Sequence, residues 1–255
     1  MNFFNLLYKD AADAHGACIA IFGAGGKTSL LYRIGEELAC YYRKVLLTSL
    51  TKSGYRENQN AVLLDQIEHD KPEALFETMN PVMLMQSVIE RKKYIGISEE
   101  KLRLFWRQAD VCLFECDGAR KRSLKIHTDH DPSIPSFTDK AIIVVGADVV
   151  NTKLSDGRVH RPELFSAHWN CSPDSVLSVP FITRVVTSEK GYLRKIPPSV
   201  DRIYFINKAD TFPEKARRLA SSIAGTSGRP VFYGSVRKGF YHSADHGDHD
   251  GGPPE

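Results

Sequence analysis

The sequence contains no apolar run approaching the ~18–20 residues that a membrane-spanning helix needs. Its longest candidate, Ala141–Val150, is interrupted by Gly146 and Asp148. The first residues, Met1–Tyr8, are apolar but have neither a basic leader nor a small-residue cleavage site, so no signal peptide is expected. Cysteine is scarce: there are five, an odd number, with no Cys-x-x-Cys pair. That pattern argues against a disulfide framework and against a zinc ribbon. Cys18, Cys112 and Cys116 sit in apolar segments and read as buried reduced thiols of a cytoplasmic protein. Charge of one sign is also lacking. Thirty-four Lys and Arg against 31 Asp and Glu leave +3, too small an excess for a dedicated nucleic-acid binder. There is no internal repeat and no long linker, and 255 residues suffice for one large α/β domain or two small ones.

What is present is a series of short β-branched runs alternating with longer amphipathic stretches. Residues 17–22, 45–50, 111–115, 142–146, 203–206 and 231–233 read as buried strands of a mainly parallel sheet. Residues 27–42, 99–108, 162–169 and 213–224 read as helices, and 62–66, 82–87 and 94–97 as further short strands. Alternation of this kind implies right-handed crossovers and an α/β fold, a three-layer sandwich with a mainly parallel sheet. With the glycine loop Gly23–Ser29, the expected class is a P-loop NTPase-like sandwich. One domain is expected over residues 1–240. The segment 241–255 has three His, three Asp, three Gly and two Pro, with Ala244 as its one aliphatic residue. It is expected to be a disordered, acidic, His-rich tail, able at most to scavenge a divalent metal.

The strongest local signal is Gly23-Ala24-Gly25-Gly26-Lys27-Thr28-Ser29, placed between an apolar strand and a helix. A phosphate chain needs this arrangement. Glycines let the backbone approach closely, amides at a helix N-terminus face the anion, Lys27 offsets charge, and the Thr28 hydroxyl suits Mg²⁺. The usual P-loop has a glycine six residues before its lysine, where this chain has Ile21. The shorter Gly-x-x-Gly-Lys-Thr form resembles that of Mur ligases and folylpolyglutamate synthetases.

A second signal is the apolar run Val111–Phe114 ending in Glu115-Cys116-Asp117-Gly118. An acid at the end of such a strand is where P-loop proteins hold Mg²⁺ or its waters. Glu115 is the first candidate, and Asp117, two residues on, is the candidate for positioning an attacking group. Arg120-Lys121-Arg122, Lys125, His127 and His130 follow, a basic loop suited to phosphoryl charge or an acidic partner, or equally a solvated turn. The third signal is Asn207-Lys208-Ala209-Asp210 after a late strand, matching the Asn-Lys-x-Asp motif by which GTP-binding proteins read guanine. The acceptor-only Asp carboxylate suits the two edge donors of guanine and not adenine. Ser235-Val236-Arg237, after the next strand, resembles the turn that closes a guanine pocket. Together they favour GTP over ATP.

Taken in order, Gly23–Ser29, Thr51-Lys52, Glu115–Arg120, Ser123–Lys125, Ile134-Pro135, His160–Leu164 and Asn207–Asp210 resemble the YqeC family. These are accessory proteins of selenium-dependent molybdenum hydroxylases. The resemblance implies a cytoplasmic nucleotide-binding protein whose partners include a molybdenum hydroxylase or its cofactor-maturation proteins. A Mg²⁺-dependent NTPase is the leading expectation. Two alternatives stay open: an ATP-dependent small-molecule kinase or ligase, and a non-hydrolysing nucleotide-sensing chaperone.

Overall fold

In a computed structural model, the protein is described over residues 2–54, 61–66, 75–77, 79–89, 93–129 and 131–244. His130 and residues 245–255 lie outside these. The strands are β1 (Cys18–Gly23), β2 (Val45–Ser49), β3 (Ser53–Gly54), β4 (Ala61–Leu63), β5 (Val82–Met85), β6 (Ser87–Ile89) and β7 (Lys93–Ile95). They continue with β8 (Val111–Glu115), β9 (Leu124–Lys125), β10 (Lys140–Gly146), β11 (Val159–His160), β12 (Asp201–Asn207), β13 (Val231–Ser235) and β14 (Phe240–Ser243). The helices are α1 (Lys27–Leu38), α2 (Glu99–Trp106), α3 (Pro162–Trp169), α4 (Val179–Thr187) and α5 (Pro213–Ser227).

Among the described residues, nine strands form one sheet in the order β14-β13-β12-β10-β1-β8-β2-β5-β4. Every pairing in it is parallel except β13 with β14. Strand alternation separates the core into two faces. Ile19 and Ile21 of β1 pack with Leu30, Leu31, Ile34 and Leu38 of α1 and with Phe3, Phe4 and Leu6 of the N-terminal turn. Cys18, Ala20 and Phe22 pack on the other side, with residues of α2, α3, α4 and α5. Helices on both faces of a mainly parallel sheet make a three-layer sandwich, as expected from the alternation.

Several boundaries differ from expectation. α1 ends at Leu38 rather than residue 42, where Asn80 donates to the carbonyls of Ala39 (3.3 Å) and Tyr42 (2.6 Å) and holds a turn. The expected strand 82–87 divides at Gln86 between the large sheet and a small antiparallel one of β3, β7 and β6. α4 was not anticipated, because Val179-Pro-Phe-Ile-Thr-Arg-Val-Val-Thr has the β-branched content of a strand. Ser178 caps it by accepting from Phe181 N (3.4 Å), and Ile182, Val185 and Val186 present an i, i+3, i+4 face to the core. The expected disorder from residue 241 is corrected for its first residues: Tyr241–Ser243 belong to β14. Tyr241 packs its ring on Phe3 and Phe232 and donates to Asn2 O (3.2 Å), an aromatic anchor that a count of aliphatic residues overlooks.

Candidate functional site

β1 runs towards β2 through α1 on one side of the sheet, while β10, β12 and β13 succeed one another on the other. The carboxyl ends of β1 and β10 therefore meet where the strand order reverses, the place at which open α/β sheets form a crevice. The glycine loop leaves β1 at this point. Gly25 has φ +102, and a Cβ there would stand 2.3 Å from Gly146 N at the end of β10. Gly26 has φ +130, and its Cβ would stand 2.2 Å from Asn207 Nδ2 at the end of β12. No other residue type fits either position without moving a neighbouring strand end. Leu30 donates the first helical bond, to Gly26 O (3.1 Å), so the amides of Lys27, Thr28 and Ser29 have no acceptor within α1. Thr28 is half-buried and Ser29 exposed, while Ala24 is tied by its N–H to Val144 O (2.8 Å).

Two further loops close on this one through a single side chain. Asn207 donates from Nδ2 to Gly25 O (2.8 Å), and its Oδ1 accepts from Val236 N (3.1 Å). The ends of β1, β12 and β13 are thereby joined by one amide. Lys208, in left-handed conformation (φ +71), extends to Ser123 Oγ (2.7 Å) and Asp148 Oδ2 (2.9 Å). Arg158 reaches the same Asp148 oxygen (3.1 Å). Asp210 is ion-paired with Arg237, and the hydroxyls of Ser235 and Thr211 help hold its carboxyl below the usual range against the cost of desolvation. Ser235 Oγ also accepts from Lys238 N (3.1 Å).

The two carboxylates following Phe114 have different surroundings. Glu115 ends β8, in register with Ile21 of β1 and Ser49 of β2, and its charge acts on Lys27. Asp117 is fully buried beneath the glycine loop. Its Oδ2 accepts from Gly23 N (2.9 Å), lies 2.8 Å from His127 Nε2 and stands 3.1 Å from Lys125 Nζ. Its Oδ1 lies 3.2 Å from Lys27 Nζ, and that ammonium also donates to Gly23 O (2.8 Å). Burial alone would raise the Asp117 pKa, but Lys27 and Lys125 overcome it, helped by the His127 hydrogen bond, and hold it far below the carboxylate range. Burial likewise opposes the charge on Lys27, and the fields of Asp117 and Glu115 outweigh it, leaving its pKa raised. For His127 burial wins over Asp117, so its pKa falls. The neutral ring then offers Nε2–H to the carboxylate.

The cluster continues outward. Lys125 Nζ donates to Gly118 O (2.8 Å) and pairs with Asp131, and its N–H donates to Tyr192 OH (3.0 Å). Asp131 accepts from Thr128 N (2.9 Å) and Oγ1 (2.7 Å), and Arg161 Nη1 lies 3.2 Å from it. Asp131 and Tyr192 were missed in the sequence. Lys125-x-x-x-x-x-Asp131 has no spacing that announces a pair, and Tyr192 arrives from a distant turn. The Gly23–Ser29, Glu115, Asp117, Asn207, Lys208, Asp210 and Ser235 candidates do lie together at the carboxyl ends of β1, β8, β12 and β13. Thr48, near the end of β2, spends its hydroxyl within the sheet, donating to Leu84 O (2.7 Å). A shallow cavity of about 370 Å³ lined by Ser136–Lys140, Ser199 and Asp201 lies at the opposite end of β10 and β12.

Among the described residues no helix is long and apolar enough to cross a membrane, and no group of three or more His, Cys, Asp or Glu is placed to cage a metal. No solved structure matches the chain. It is 29% identical over 192 residues to the uncharacterized protein YqeC of Escherichia coli (strain K12), which covers 74% of this chain and 75% of that one. The sequence profile of the YqeC protein matches residues 19–163, from β1 through the glycine loop, Asp117 and Lys125 to the first turn of α3, so the chain belongs to the YqeC family.

Proposed function

We propose that this protein binds a nucleoside triphosphate with Mg²⁺ at a P-loop formed by Gly23–Ser29, GTP in preference to ATP. Its turnover would serve as an NTPase step in maturation or cofactor insertion of a molybdenum hydroxylase in the cytoplasm. The observation that carries the nucleotide reading is Asn207. One side chain joins the loop suited to phosphates to the two loops suited to a guanine base, across β1, β12 and β13. A phosphate cradle and a base-reading carboxylate are useful only when fixed relative to each other. The hydroxylase link comes from what the family resemblance implies and from no residue of the site.

The donors near Lys27 fit magnesium. Thr28 supplies a hydroxyl and Glu115, whose charge acts on Lys27, a carboxylate, both hard oxygen ligands of the kind magnesium takes alongside phosphate and water. Bound there, the ion would neutralise phosphate charge. Asp117 suits a different role from the one its sequence position suggests. Enclosed by Lys27, Lys125, His127 and Gly23 N, it has no open side for an attacking group and instead sets the position and charge of Lys27. That burial favours a second reading, in which the protein senses the nucleotide without needing to hydrolyse it.

Calorimetric titration of GTP and ATP, with and without Mg²⁺, tests the proposal. Magnesium-dependent GTP binding should be lost in Lys27→Ala. In Asp210→Asn, GTP should weaken by about 1.5–3 kcal/mol while ATP is unchanged, the loss expected for a charge-assisted hydrogen bond. Equal effects on both nucleotides would remove Asn207–Asp210 from the base site. Full affinity in Lys27→Ala would reject the P-loop. Phosphate release measured on the same samples separates the NTPase from the sensor.

A further inference from the structure

Six described residues other than glycine have left-handed backbone. Two are Asn151 and Asn170, a residue type that tolerates it. The other four are all cationic: Arg120 (φ +45), Lys121 (φ +62), Arg161 (φ +59) and Lys208 (φ +71). Arginine and lysine have no short polar group to offset this conformation, in which Cβ crowds the following carbonyl oxygen. Strain of this kind persists where the surroundings enforce it, often at functional sites. Lys208 and Arg161 have partners, in Ser123 with Asp148 and in Asp131 respectively. Arg120 and Lys121 are exposed and make no hydrogen bond or ion pair with any described residue.

Their loop is held at both feet against the glycine loop. Asp117 accepts from Gly23 N at one foot. At the other, Ser123 O accepts from Gly146 N (3.0 Å), whose strand end abuts Gly25. Arg122 N closes the turn on Ala119 O (2.9 Å). Three residues of chain place Arg120 within roughly 11 Å of Asp117 at full extension. Behind the turn His160 is nearly buried, and burial together with the charges of Lys125, Arg161 and Arg120 pushes its pKa down to about 4. The corner thus carries positive charge in excess of its own carboxylates.

We propose that Arg120 and Lys121, backed by His160 and Arg161, form a second anion site beside the glycine loop that holds a phosphate-bearing small molecule distinct from the nucleotide. Its position next to a triphosphate rests on the proposed function, whereas the anion binding itself does not. Two free cations on adjacent residues of a tight turn match a compact dianion, one forked donor and one rotating ammonium. A nucleic acid or extended acidic peptide would need a basic track, and the net charge of +3 leaves little for one.

The test is calorimetric titration of the full-length protein with inorganic pyrophosphate. Wild type should bind at two sites, one lost in Lys27→Ala and the other weakened at least tenfold in Arg120→Gly/Lys121→Gly. Glycine suits both φ values, so the double variant should keep its melting temperature, and a loss of binding cannot be ascribed to misfolding. Titration of the double variant indistinguishable from wild type would overturn the inference. So would loss of both sites in that variant, which would assign these cations to the triphosphate. An equal loss in Arg218→Ser, on the far surface of α5, would mark non-specific attraction and overturn it too. If Lys27→Ala changes nothing while the double variant loses a site, the second site stands and the glycine-loop reading fails.

Discussion

Replacing Asp117 by Asn should destabilise the protein more than any other single isosteric change in the site. The carboxylate is completely enclosed, with Lys27 Nζ at 3.2 Å and Lys125 Nζ at 3.1 Å. At an effective dielectric of ~20, each contact represents about 5 kcal/mol of gross Coulomb attraction. Desolvation of three ions cancels most of that, so the intact cluster is not a large net source of stability. Removing its one shared anion is different, because Lys27 keeps its desolvation cost and loses its ion-pair partner, while Lys125 is left with Asp131 alone. Breaking a buried pair in this way costs about 3–5 kcal/mol. Asn retains the volume and an acceptor for Gly23 N, so the loss isolates the charge. For a chain of 255 residues the expected fall in melting temperature is about 6–9 °C.

Thermal and guanidinium unfolding, followed by far-ultraviolet circular dichroism, would measure it. Lys27→Met in the Asp117→Asn background should recover part of the loss, since it removes one orphaned charge. Unfolding in acid carries the same signature. The folded pKa of Asp117 is depressed, so its contribution is present above the unfolded value near ~3.9 and is lost as pH falls towards the folded one. Asp117→Asn should therefore show a flatter stability profile below about pH 4. A variant that melts within ~1 °C of wild type, with unchanged acid sensitivity, would refute the assignment of Asp117 as the anion that both lysines depend on.

Gly26→Ala should destabilise by about 2 kcal/mol or more, because a Cβ would stand 2.2 Å from Asn207 Nδ2 and φ is +130. Denaturant midpoints would check it, and a neutral result would mean that the Asn207 bridge is not held as described. His160 gives a pH prediction of opposite chemical origin to Asp117. Its folded pKa lies near 4, below the unfolded ~6.5, so the unfolded chain binds the extra proton between these values and stability falls as pH drops through the window. His160→Asn should reduce that slope, leaving the part due to His127, whose pKa is also lowered. An unchanged slope would exclude His160 as a source.

The parts of this site that were legible in the sequence are those where chemistry is local. A glycine loop between a strand and a helix, an acid ending an apolar run and Asn-Lys-x-Asp after a strand each declare themselves within a few residues. The sheet was legible for a related reason: strands buried on both faces, such as β1, β8 and β10, have no polar alternation to confuse the reading. The failures are where tertiary structure overrode local preference. α4 is β-branched and helical because α5 and the core accept its face. Tyr241 is ordered because Phe3, at the other end of the chain, lies against it. Asp131 and Tyr192 join the site only after folding brings separate loops under β1. The enclosure of Asp117 was not legible for the same reason, since no spacing shows that two lysines and a histidine surround it.

The arrangement of that cluster explains how a lysine held by Asp117 remains suited to an anion. With His127 neutral, Lys27, Lys125 and Arg161 face Asp117, Asp131 and Glu115, whose charge also acts on Lys27, three cations against three carboxylates. Drawing the Lys27 ammonium towards a phosphate would leave two cations and three carboxylates, with Asp117 still held by Lys125, His127 and Gly23 N. Asp117 would then not be stranded, so for that residue the move avoids the penalty that Asp117→Asn incurs in the opposite sense. Lys125 is the group that makes this possible, because among the described residues it is the cation that touches both Asp117 and Asp131. The pairing of Lys27 with Asp117 therefore keeps the ammonium charged and directed beneath the loop, and Lys125 would keep Asp117 paired if Lys27 turned to the proposed phosphate.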